Sequence, residues 1–373
     1  MPELAVADQL PALDAALEQI PNCSAVFVLW PKQGDPYLGK TTVLRRRLLR
    51  LLRERETPSR LMNLRHSLAR VEYWLTGSKL ESAVRMHDLA RQHFPRTYLD
   101  VLRLRMPPYV KVILTNEFPR TQISTHLGRA PALYFGPFQA RASAERFESQ
   151  FLDLFQMRRC QEDLEPSPAH PGCIYGEMGM CLRPCQQVVS AEEYRHEVER
   201  VVDFLRTDGR SLLDAATAAR ERSSTDLDFE QAARQHKRVE KIQEVLALRD
   251  DLARDINRLS GVAVTASVEP DAAELWFVCD GAWMGSRRIT FDLVDGKPVS
   301  LDRKLRDAAG ALAPVTQSMR DRQEHLAILS RWYYSSWRDG EWFPFDNLEN
   351  LPYRKLVHAL SRVTQAAGHR GSS

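Results

Sequence analysis

Four of the six cysteines in this chain fall within residues 160–185. Twelve, seven and three residues separate consecutive members of this group, which consists of Cys160, Cys173, Cys181 and Cys185. Proline and glycine between them indicate turn-rich backbone, so four thiolates can surround one soft metal centre, either zinc or an iron–sulfur cluster. The alternative is a pair of disulfides, which belong mainly to oxidising compartments. Spacing alone does not separate zinc from iron–sulfur.

The size and composition of the chain are those of a globular protein. Its 373 residues allow one large core or roughly two to four small ones. Charged residues make up 27%, hydrophobic residues 43%, and the formal net charge is +3. No apolar run reaches the roughly 18 residues that cross a bilayer, and no secretory signal opens the chain. We therefore expect a cytoplasmic protein without a membrane partner, in which Cys23 and Cys279 are buried thiols.

Strand and helix signals alternate at the N-terminus. Residues 1–19 predict a short helix, and residues 25–30 and 36–40 predict two strands joined by a turn. A basic helix is expected over residues 42–55. It contains a concentration of arginines, namely Arg45, Arg46, Arg47, Arg50, Arg53 and Arg55.

The cysteine group and its surroundings resemble one known family. Residues 134–138 (Tyr-Phe-Gly-Pro-Phe) precede the cysteines, and the combination resembles bacterial UvrC, the nuclease subunit of nucleotide excision repair. In that family the four cysteines bind a 4Fe–4S cluster. The resemblance implies a 4Fe–4S cluster on the same four cysteines here, with zinc as the alternative.

The N-terminal strands and basic helix resemble the opening of the GIY-YIG nuclease domain of UvrC. Residues 37–40 (Tyr-Leu-Gly-Lys) stand in place of its Tyr-Val-Gly-Lys, and Tyr37, Lys40 and Arg47 match the catalytic tyrosine, lysine and arginine by position. Such chemistry needs a proton acceptor, basic residues that hold phosphate, and a carboxylate that holds Mg²⁺ or Mn²⁺. If residues 40–47 are helical, Lys40 and Arg47 lie about 20° apart on one face.

Other positions depart from the family. Phe27 replaces the first tyrosine of the pair and lacks its hydroxyl. Residues 76–89 resemble the helix that carries the metal-binding glutamate, and in that register the glutamate falls on Met86, whose thioether is a poor magnesium ligand. We therefore expect an impaired nuclease site. The alternative is an active site that Glu81, roughly 140° away around the helix, or Asp88 reaches through a local helix shift.

A helical region follows the cysteines. Ser190, with Glu193 three residues later, predicts a capping box at a helix start. Residues 227–234 (Leu-Asp-Phe-Glu-Gln-Ala-Ala-Arg) resemble the UVR motif, a helical hairpin through which UvrC meets UvrB. A narrow apolar stripe beside charged residues suits packing on a partner helix. The partner-binding residues implied by the resemblance are Phe229, Glu230, Ala232 and Ala233. The alternative is a plain hairpin with its own core.

The last third of the chain changes character. Residues 262–268 and 274–279 predict strands, and Asp280-Gly281 predicts a hairpin turn. Helices are expected over residues 316–335 and 353–366. This region resembles the segment of UvrC before its RNase H-like domain, and the chain ends where that domain is expected. An aromatic-rich stretch either stacks nucleic-acid bases or packs a small core; it contains Trp332, Tyr333, Tyr334, Trp337, Trp342 and Phe343.

Together these features predict a multidomain α+β protein. Residues 1–105 are expected to form a degenerate GIY-YIG-like domain, and residues 106–155 connecting strands and a helix. Residues 156–187 would form the four-cysteine module, residues 188–258 a helical region with the UVR motif, and residues 259–373 a C-terminal α/β segment.

The implied function is a UvrC-like role in nucleotide excision repair. The chain would bind damaged DNA together with a UvrB-type helicase, with its nuclease site impaired. The alternative is an active endonuclease of the Cho kind, which makes a single incision 3′ to the lesion.

Overall fold

A computed structural model describes residues 3–5, 10–53, 64–291, 293–294, 297–298, 300–313 and 315–368 of the chain. Within these residues the protein is a mixed α+β structure with several sheets. The predicted fold class is confirmed at this level. Across the same residues, every helix is too short or too polar to cross a lipid bilayer.

The first sheet, called the N-terminal sheet, is antiparallel with the order β1-β4-β2-β3. Its strands and helices are β1 (Glu3–Ala5), α1 (Leu10–Gln19), β2 (Ala25–Pro31), β3 (Tyr37–Thr41), α2 (Leu44–Leu52), β4 (Leu68–Leu75), α3 (Lys79–His93) and α4 (Tyr98–Leu102). Strand β2 is apolar at successive positions because both of its faces are covered. Phe27 and Leu29 pack in the core shared with α1 and α2, whereas Val26 and Val28 pack against α3.

Two predictions for this region are wrong in part. The helix expected over residues 1–19 begins at Leu10, and residues 3–5 instead pair with β4 as an edge strand. The helix expected over residues 42–55 is α2, which ends at Leu52. Arg55 lies outside the described residues.

The middle sheet has the order β6-β5-β7-β8. It and its helices are β5 (Tyr109–Ile113), β6 (Arg120–Ser124), β7 (Ala132–Gly136), α5 (Arg141–Leu152), α6 (Ile174–Glu177), α7 (Ala191–Arg206), α8 (Arg210–Thr225), α9 (Phe229–Leu246) and β8 (Arg254–Asp255). Strand β8 pairs with β7, so the chain leaves this sheet, forms the cysteine segment and three long helices, and returns to it. The capping box predicted at Ser190 is present at the start of α7.

A chain of phenylalanine rings joins this sheet to its helices. Phe135 of β7 stacks on Phe147 of α5 with ring centroids 5.0 Å apart. Phe147 contacts Phe151, which stacks on Phe204 of α7 at 6.2 Å. All four rings are buried, so aromatic packing fixes α5 and α7 to the sheet.

The C-terminal sheet has the order β11-β10-β9-β14. The elements of this region are β9 (Gly261–Ala266), β10 (Ala272–Cys279), β11 (Ala282–Thr290), β12 (Leu293–Val294), β13 (Lys297–Pro298), α10 (Leu301–Gly310), α11 (Met319–Tyr333), β14 (Gly340–Pro344) and α12 (Tyr353–Gly368). Helices α10 and α12 cover one face and α11 the other. The predicted hairpin turn is confirmed, because Asp280 and Gly281 link β10 to β11 with φ of 49° and 72°.

The N-terminal and C-terminal sheets meet along α3 and α11. A β-carbon added at Gly77 would lie 2.2 Å from the carbonyl carbon of Ser267, so only glycine permits this approach. The carboxylate of Asp339 forms hydrogen bonds to both helices. Its Oδ2 accepts the backbone N–H of Lys79 on α3 at 2.7 Å, and its Oδ1 accepts the indole N–H of Trp332 on α11 at 3.0 Å. The junction is therefore both close-packed and hydrogen-bonded.

Candidate functional site

The register of β2 and β3 decides which face of the N-terminal sheet each predicted site residue occupies. Tyr37 pairs with Leu29, and Lys40 pairs with Val26. Because side chains alternate along a strand, Tyr37 faces α2 and Lys40 faces α3. The sheet therefore directs these two residues to opposite faces. The prediction that Lys40 and Arg47 share a helix face is wrong, because Lys40 lies in β3 and only Arg47 lies in α2.

On the α2 face, a tyrosine and an arginine are in contact. Nη2 of Arg47 donates to the hydroxyl of Tyr37 at 3.3 Å. The fully buried ring of Phe27 lies 6.1 Å from the ring of Tyr37. A β-carbon at Gly39 would lie 2.7 Å from Phe27 Cζ, so this glycine makes room for the ring. The phenyl ring thus keeps its packing role without contributing a hydroxyl.

On the α3 face, Met86 occupies an apolar environment. It packs with Val26, Val28 and Leu89, and the half-buried side chains Trp30, Leu38 and Trp74 complete the cluster. The thioether therefore contacts hydrocarbon and indole groups and is partly exposed. Such surroundings disfavour a hydrated divalent cation.

The two acidic residues of α3 face elsewhere. Glu81 and Asp88 line a cavity of about 440 Å³ that is walled by β10, β11 and α11. Oε2 of Glu81 accepts the backbone N–H of Gly77 at 2.7 Å. Burial raises the pKa of Glu81, and the nearby charge of Glu274 acts in the same direction. Both carboxyl groups are thus directed toward the C-terminal sheet, away from the Tyr37–Arg47 pair.

The four cysteines of residues 160–185 are free thiols. Cys181 and Cys185 are buried, whereas Cys160 and Cys173 are half-buried. Burial raises the pKa of Cys181 to about 11, and the charges of the other three cysteines also raise it, so all four thiols lie within electrostatic range. Within the part of the chain that the structure describes, no three His, Cys, Asp or Glu side chains form a site for a single metal ion. Cys23 is exposed and Cys279 half-buried, so the expectation that both are buried is wrong.

Hydrogen bonds directed at sulfur hold this segment. Nη1 of Arg158 donates to Cys160 Sγ at 3.4 Å, and the backbone N–H of Arg183 donates to Cys181 Sγ at the same distance. N–H groups directed at sulfur stabilise the thiolate form that a soft metal centre requires. These two N–H groups are compatible with thiolate ligands at Cys160 and Cys181, although the four side chains as placed do not form a ligand set for one ion.

Arg158 is a functional candidate that the sequence interpretation missed. It is 2% exposed, and its guanidinium also donates to the carbonyl oxygens of Phe118 at 2.9 Å and Glu162 at 2.8 Å. The hydroxyl of Tyr194 accepts its backbone N–H at 3.0 Å. Two arginines directly before Cys160 were the available signal, but the carbonyl group of Phe118 is distant in sequence from Arg158.

The α8–α9 hairpin exposes the residues predicted to bind a partner. Phe229 is 72% exposed and Leu227, in the turn, is 70% exposed. Glu230 and Ala233 are exposed, and Ala232 is half-buried. The far end of α9 is different, because its apolar residues are buried against the rest of the middle region; they are Val239, Ile242 and Val245. The end of the hairpin that contains Val245 therefore packs against the middle region, and the end that contains Phe229 projects into solvent.

Most of the aromatic-rich stretch is core. Trp332 and Trp342 are buried beneath the C-terminal sheet, which agrees with the packing alternative. Trp337 is 37% exposed, and the Lys79 ammonium lies 5.2 Å from its ring centroid. Among the tryptophans of this stretch, an exposed ring remains only at Trp337.

Comparison with known proteins gives one family match. Residues 108–204 match the family described as UvrC/Cho excinuclease, middle domain. This region contains β5 to β7, α5, the four cysteines and most of α7. No solved structure matches the chain.

Curated relatives extend the similarity beyond that region. The UvrABC system protein C of Lachnospira eligens is 24% identical over 76% of this chain and 47% of its own length. That of Moorella thermoacetica is 26% identical over 86% of this chain and 53% of its own. The UvrABC system protein C of Methanothermobacter thermautotrophicus is 27% identical over 67% of this chain and 43% of its own length. The chain thus spans about half the length of the curated relatives it matches. The chain is therefore similar to UvrC proteins over most of its length, and its middle region matches the UvrC/Cho middle domain.

Proposed function

We propose that this protein acts in nucleotide excision repair by binding damaged DNA together with a UvrB-type helicase, and that its own nuclease site is impaired. The impaired nuclease site is inferred from the position of Met86. The resemblance to the GIY-YIG domain places a metal-binding glutamate there, and the side chain present is a thioether in an apolar cluster. The N-terminal sheet with α1 to α3 is accordingly interpreted as a degenerate GIY-YIG-like domain.

Two further placements support an impaired site. Lys40 and Tyr37 point to opposite faces of the sheet, so they do not converge on one phosphate. Glu81 and Asp88 line the cavity facing the C-terminal sheet, so a helix shift alone would not bring them to Tyr37. Mg²⁺ and Mn²⁺ require oxygen ligands, which the thioether of Met86 does not supply.

The proposed cofactor is a 4Fe–4S cluster on Cys160, Cys173, Cys181 and Cys185, with zinc as the alternative. Free thiols drawn together from turn-rich backbone support this assignment, as do the N–H groups directed at two of the sulfurs. Such a centre would cross-link a segment that has little regular structure. Free thiols also agree with a reducing cytoplasm, which remains our expectation for its location.

The proposed partner surface is the projecting end of the α8–α9 hairpin, with Phe229, Glu230, Ala232 and Ala233. An aromatic ring exposed to this extent next to small residues can insert into a partner helix pair. Such an anchor contributes binding energy because the ring loses its contact with water on docking.

A second candidate function is supported by the hydrogen bond between Arg47 and Tyr37. An arginine that donates to the hydroxyl of a tyrosine is an arrangement that a working site would retain. The corresponding function is a Cho-like endonuclease that makes a single incision 3′ to a lesion.

Incubation of the full chain with a lesion-bearing duplex and Mg²⁺ or Mn²⁺ separates the two functions. We expect binding without strand cleavage. Cleavage that is lost in Tyr37→Phe but kept in the remote control Tyr353→Phe would establish the endonuclease and overturn the impaired-site proposal. Failure to bind any duplex, alone or with a UvrB-type helicase, would overturn the repair function itself.

A further inference from the structure

Three cationic side chains from three separate elements lie together at the junction of the N-terminal and C-terminal sheets. Lys40 lies on β3, Lys79 opens α3, and Arg331 lies in the last turn of α11. Helix α3 packs on both β3 and α11, so the fold itself brings these elements to one rim. Lys40 points to the α3 side of its sheet, as the pairing with Val26 requires.

The position of Lys79 is fixed by two contacts. Its ammonium donates to the carbonyl oxygen of Trp337 at 3.2 Å and lies 5.2 Å from the centroid of the same indole ring. Asp339 is the nearby carboxylate, and its two oxygens are bonded to the backbone N–H of Lys79 and the indole of Trp332. The Lys79 ammonium is therefore held at the surface by an indole and a carbonyl group.

Among the described residues, none of the three cations is paired with a carboxylate, because the nearby Asp339 is bonded to the Lys79 backbone and the Trp332 indole instead. Lys40 and Arg331 are exposed, and in the described residues no ion pair joins any of these three side chains to a carboxylate. Desolvation lowers the pKa of Lys40, and the like charges of Arg331 and Lys79 lower it further, so the three groups interact. Cations that repel one another at a fixed junction are stabilised when an anion binds between them.

We propose that Lys40, Lys79 and Arg331 form a binding site for a backbone phosphate of DNA at this junction. The site rests on the proposed DNA-repair function, and it gives Lys40 a role in holding DNA that is independent of the nuclease chemistry. It spans both sheets, so the bound strand contacts the N-terminal and C-terminal parts of the chain at once. Phosphate contacts of this kind position DNA and carry no sequence preference.

The test measures the salt dependence of DNA binding by the full chain. Fluorescence anisotropy with a labelled lesion-bearing duplex is recorded over a series of salt concentrations for the wild type and for Lys79→Gln/Arg331→Gln. Loss of one phosphate contact decreases the slope of log K against log [salt] by about 0.9. The matched control is Arg354→Gln/Lys355→Gln on α12, which removes the same charge from exposed positions elsewhere. We expect the slope to fall in the first variant relative to the control.

A second measurement does not depend on substitutions. Labelling of surface lysines by an amine-reactive reagent is followed by mass spectrometry with and without saturating duplex. Lys40 and Lys79 should be protected by DNA, whereas Lys355 should react equally in both samples. The single variant Arg331→Gln serves as a control for folding. Because this side chain is exposed, we expect the unfolding midpoint of the variant to equal that of the wild type.

These measurements test the phosphate site and the repair function separately. If the wild type binds duplex but the slope matches that of the control variant, or Lys40 and Lys79 stay reactive in the complex, the phosphate site is wrong and the repair function stands. If the wild type does not bind duplex at all, both are wrong.

Discussion

Nε2 of His87 lies 2.8 Å from Oε2 of Glu324, and this contact joins α3 to α11 inside the protein. The other carboxylate oxygen accepts the hydroxyl of Tyr98 at 2.6 Å and Nε of Arg320 at 3.0 Å. Glu324 is 1% exposed, so these partners rather than water stabilise its charge. The junction between the two sheets therefore contains a buried ionic network as well as close packing.

Removal of the carboxylate should destabilise the protein strongly. Glu324→Ala leaves His87, Tyr98 and Arg320 without their shared partner, and we expect the free energy of unfolding to fall by about 3 kcal/mol. Chemical denaturation of the full chain measures this. Glu349→Ala, at an exposed position, is the control and should change stability little. Equal stability of the two variants would contradict the role of the network.

The same network predicts a pH dependence. Burial opposes protonation of His87, but the carboxylates of Asp88 and Glu324 prevail and raise its pKa above the ordinary 6.5. Its contribution is therefore complete below about pH 6.5 and is lost as pH rises through the folded pKa. Burial disfavours the Glu324 anion, but hydrogen bonds from Tyr98, His87 and Arg320 lower its pKa below 4.5, so its contribution is lost only in acid. The stability difference between wild type and His87→Gln, measured by denaturation at several pH values, should be largest near pH 5–6 and shrink in alkali.

Gly77 should not tolerate a side chain. The added methyl of Gly77→Ala meets the backbone of Ser267, which cannot move aside as a flexible side chain would. We expect a loss of about 1–3 kcal/mol in the free energy of unfolding. Gly310→Ala is the matched control, because nothing lies within 4 Å of the added carbon there and alanine favours helix. Thermal and chemical unfolding of both variants provides the comparison.

For the cysteine group, anaerobically purified protein should be brown and contain iron and sulfide. Cys181→Ser should lose the colour and bound iron, since it removes one of four proposed ligands. Cys23→Ser should keep both, because that thiol is exposed and outside the group. A colourless wild-type protein with one bound zinc would support the alternative centre instead.

For the hairpin, Phe229→Ala should weaken binding to the C-terminal hairpin of a UvrB-type helicase by more than about 1 kcal/mol, the loss typical of a buried aromatic anchor. Calorimetry with the full chain measures this. Val188→Ala, a 52% exposed residue outside the hairpin, should bind as the wild type does. If the two variants bind equally, the hairpin is not the docking surface.

Local signals were sufficient for much of the fold. The apolar run of β2, the capping box at Ser190 and the turn at Asp280 were predictable because each depends on neighbours within a few residues. The edge strand β1 was not, since three residues carry no periodic pattern and are stabilised by pairing with β4. The pairing of β8 with β7 likewise depends on contacts between Phe135 and Asp255, which are far apart in sequence.

The site was predictable only in part. That Tyr37 and Lys40 face opposite sides follows from their odd separation within one strand, and it was missed because Lys40, although predicted to end that strand, was also considered on a helix face with Arg47. The neighbours of Lys40 were not predictable, because Arg331 reaches it only through the packing of α3 on α11. The apolar surroundings of Met86 also arise from three separate elements.

The pairing of β7 with β8 closes a long excursion of the chain that contains both the cysteine segment and the projecting hairpin. The two ends of this excursion are hydrogen-bonded to each other in one sheet, so the thiols and the exposed Phe229 belong to the same closed unit of the fold.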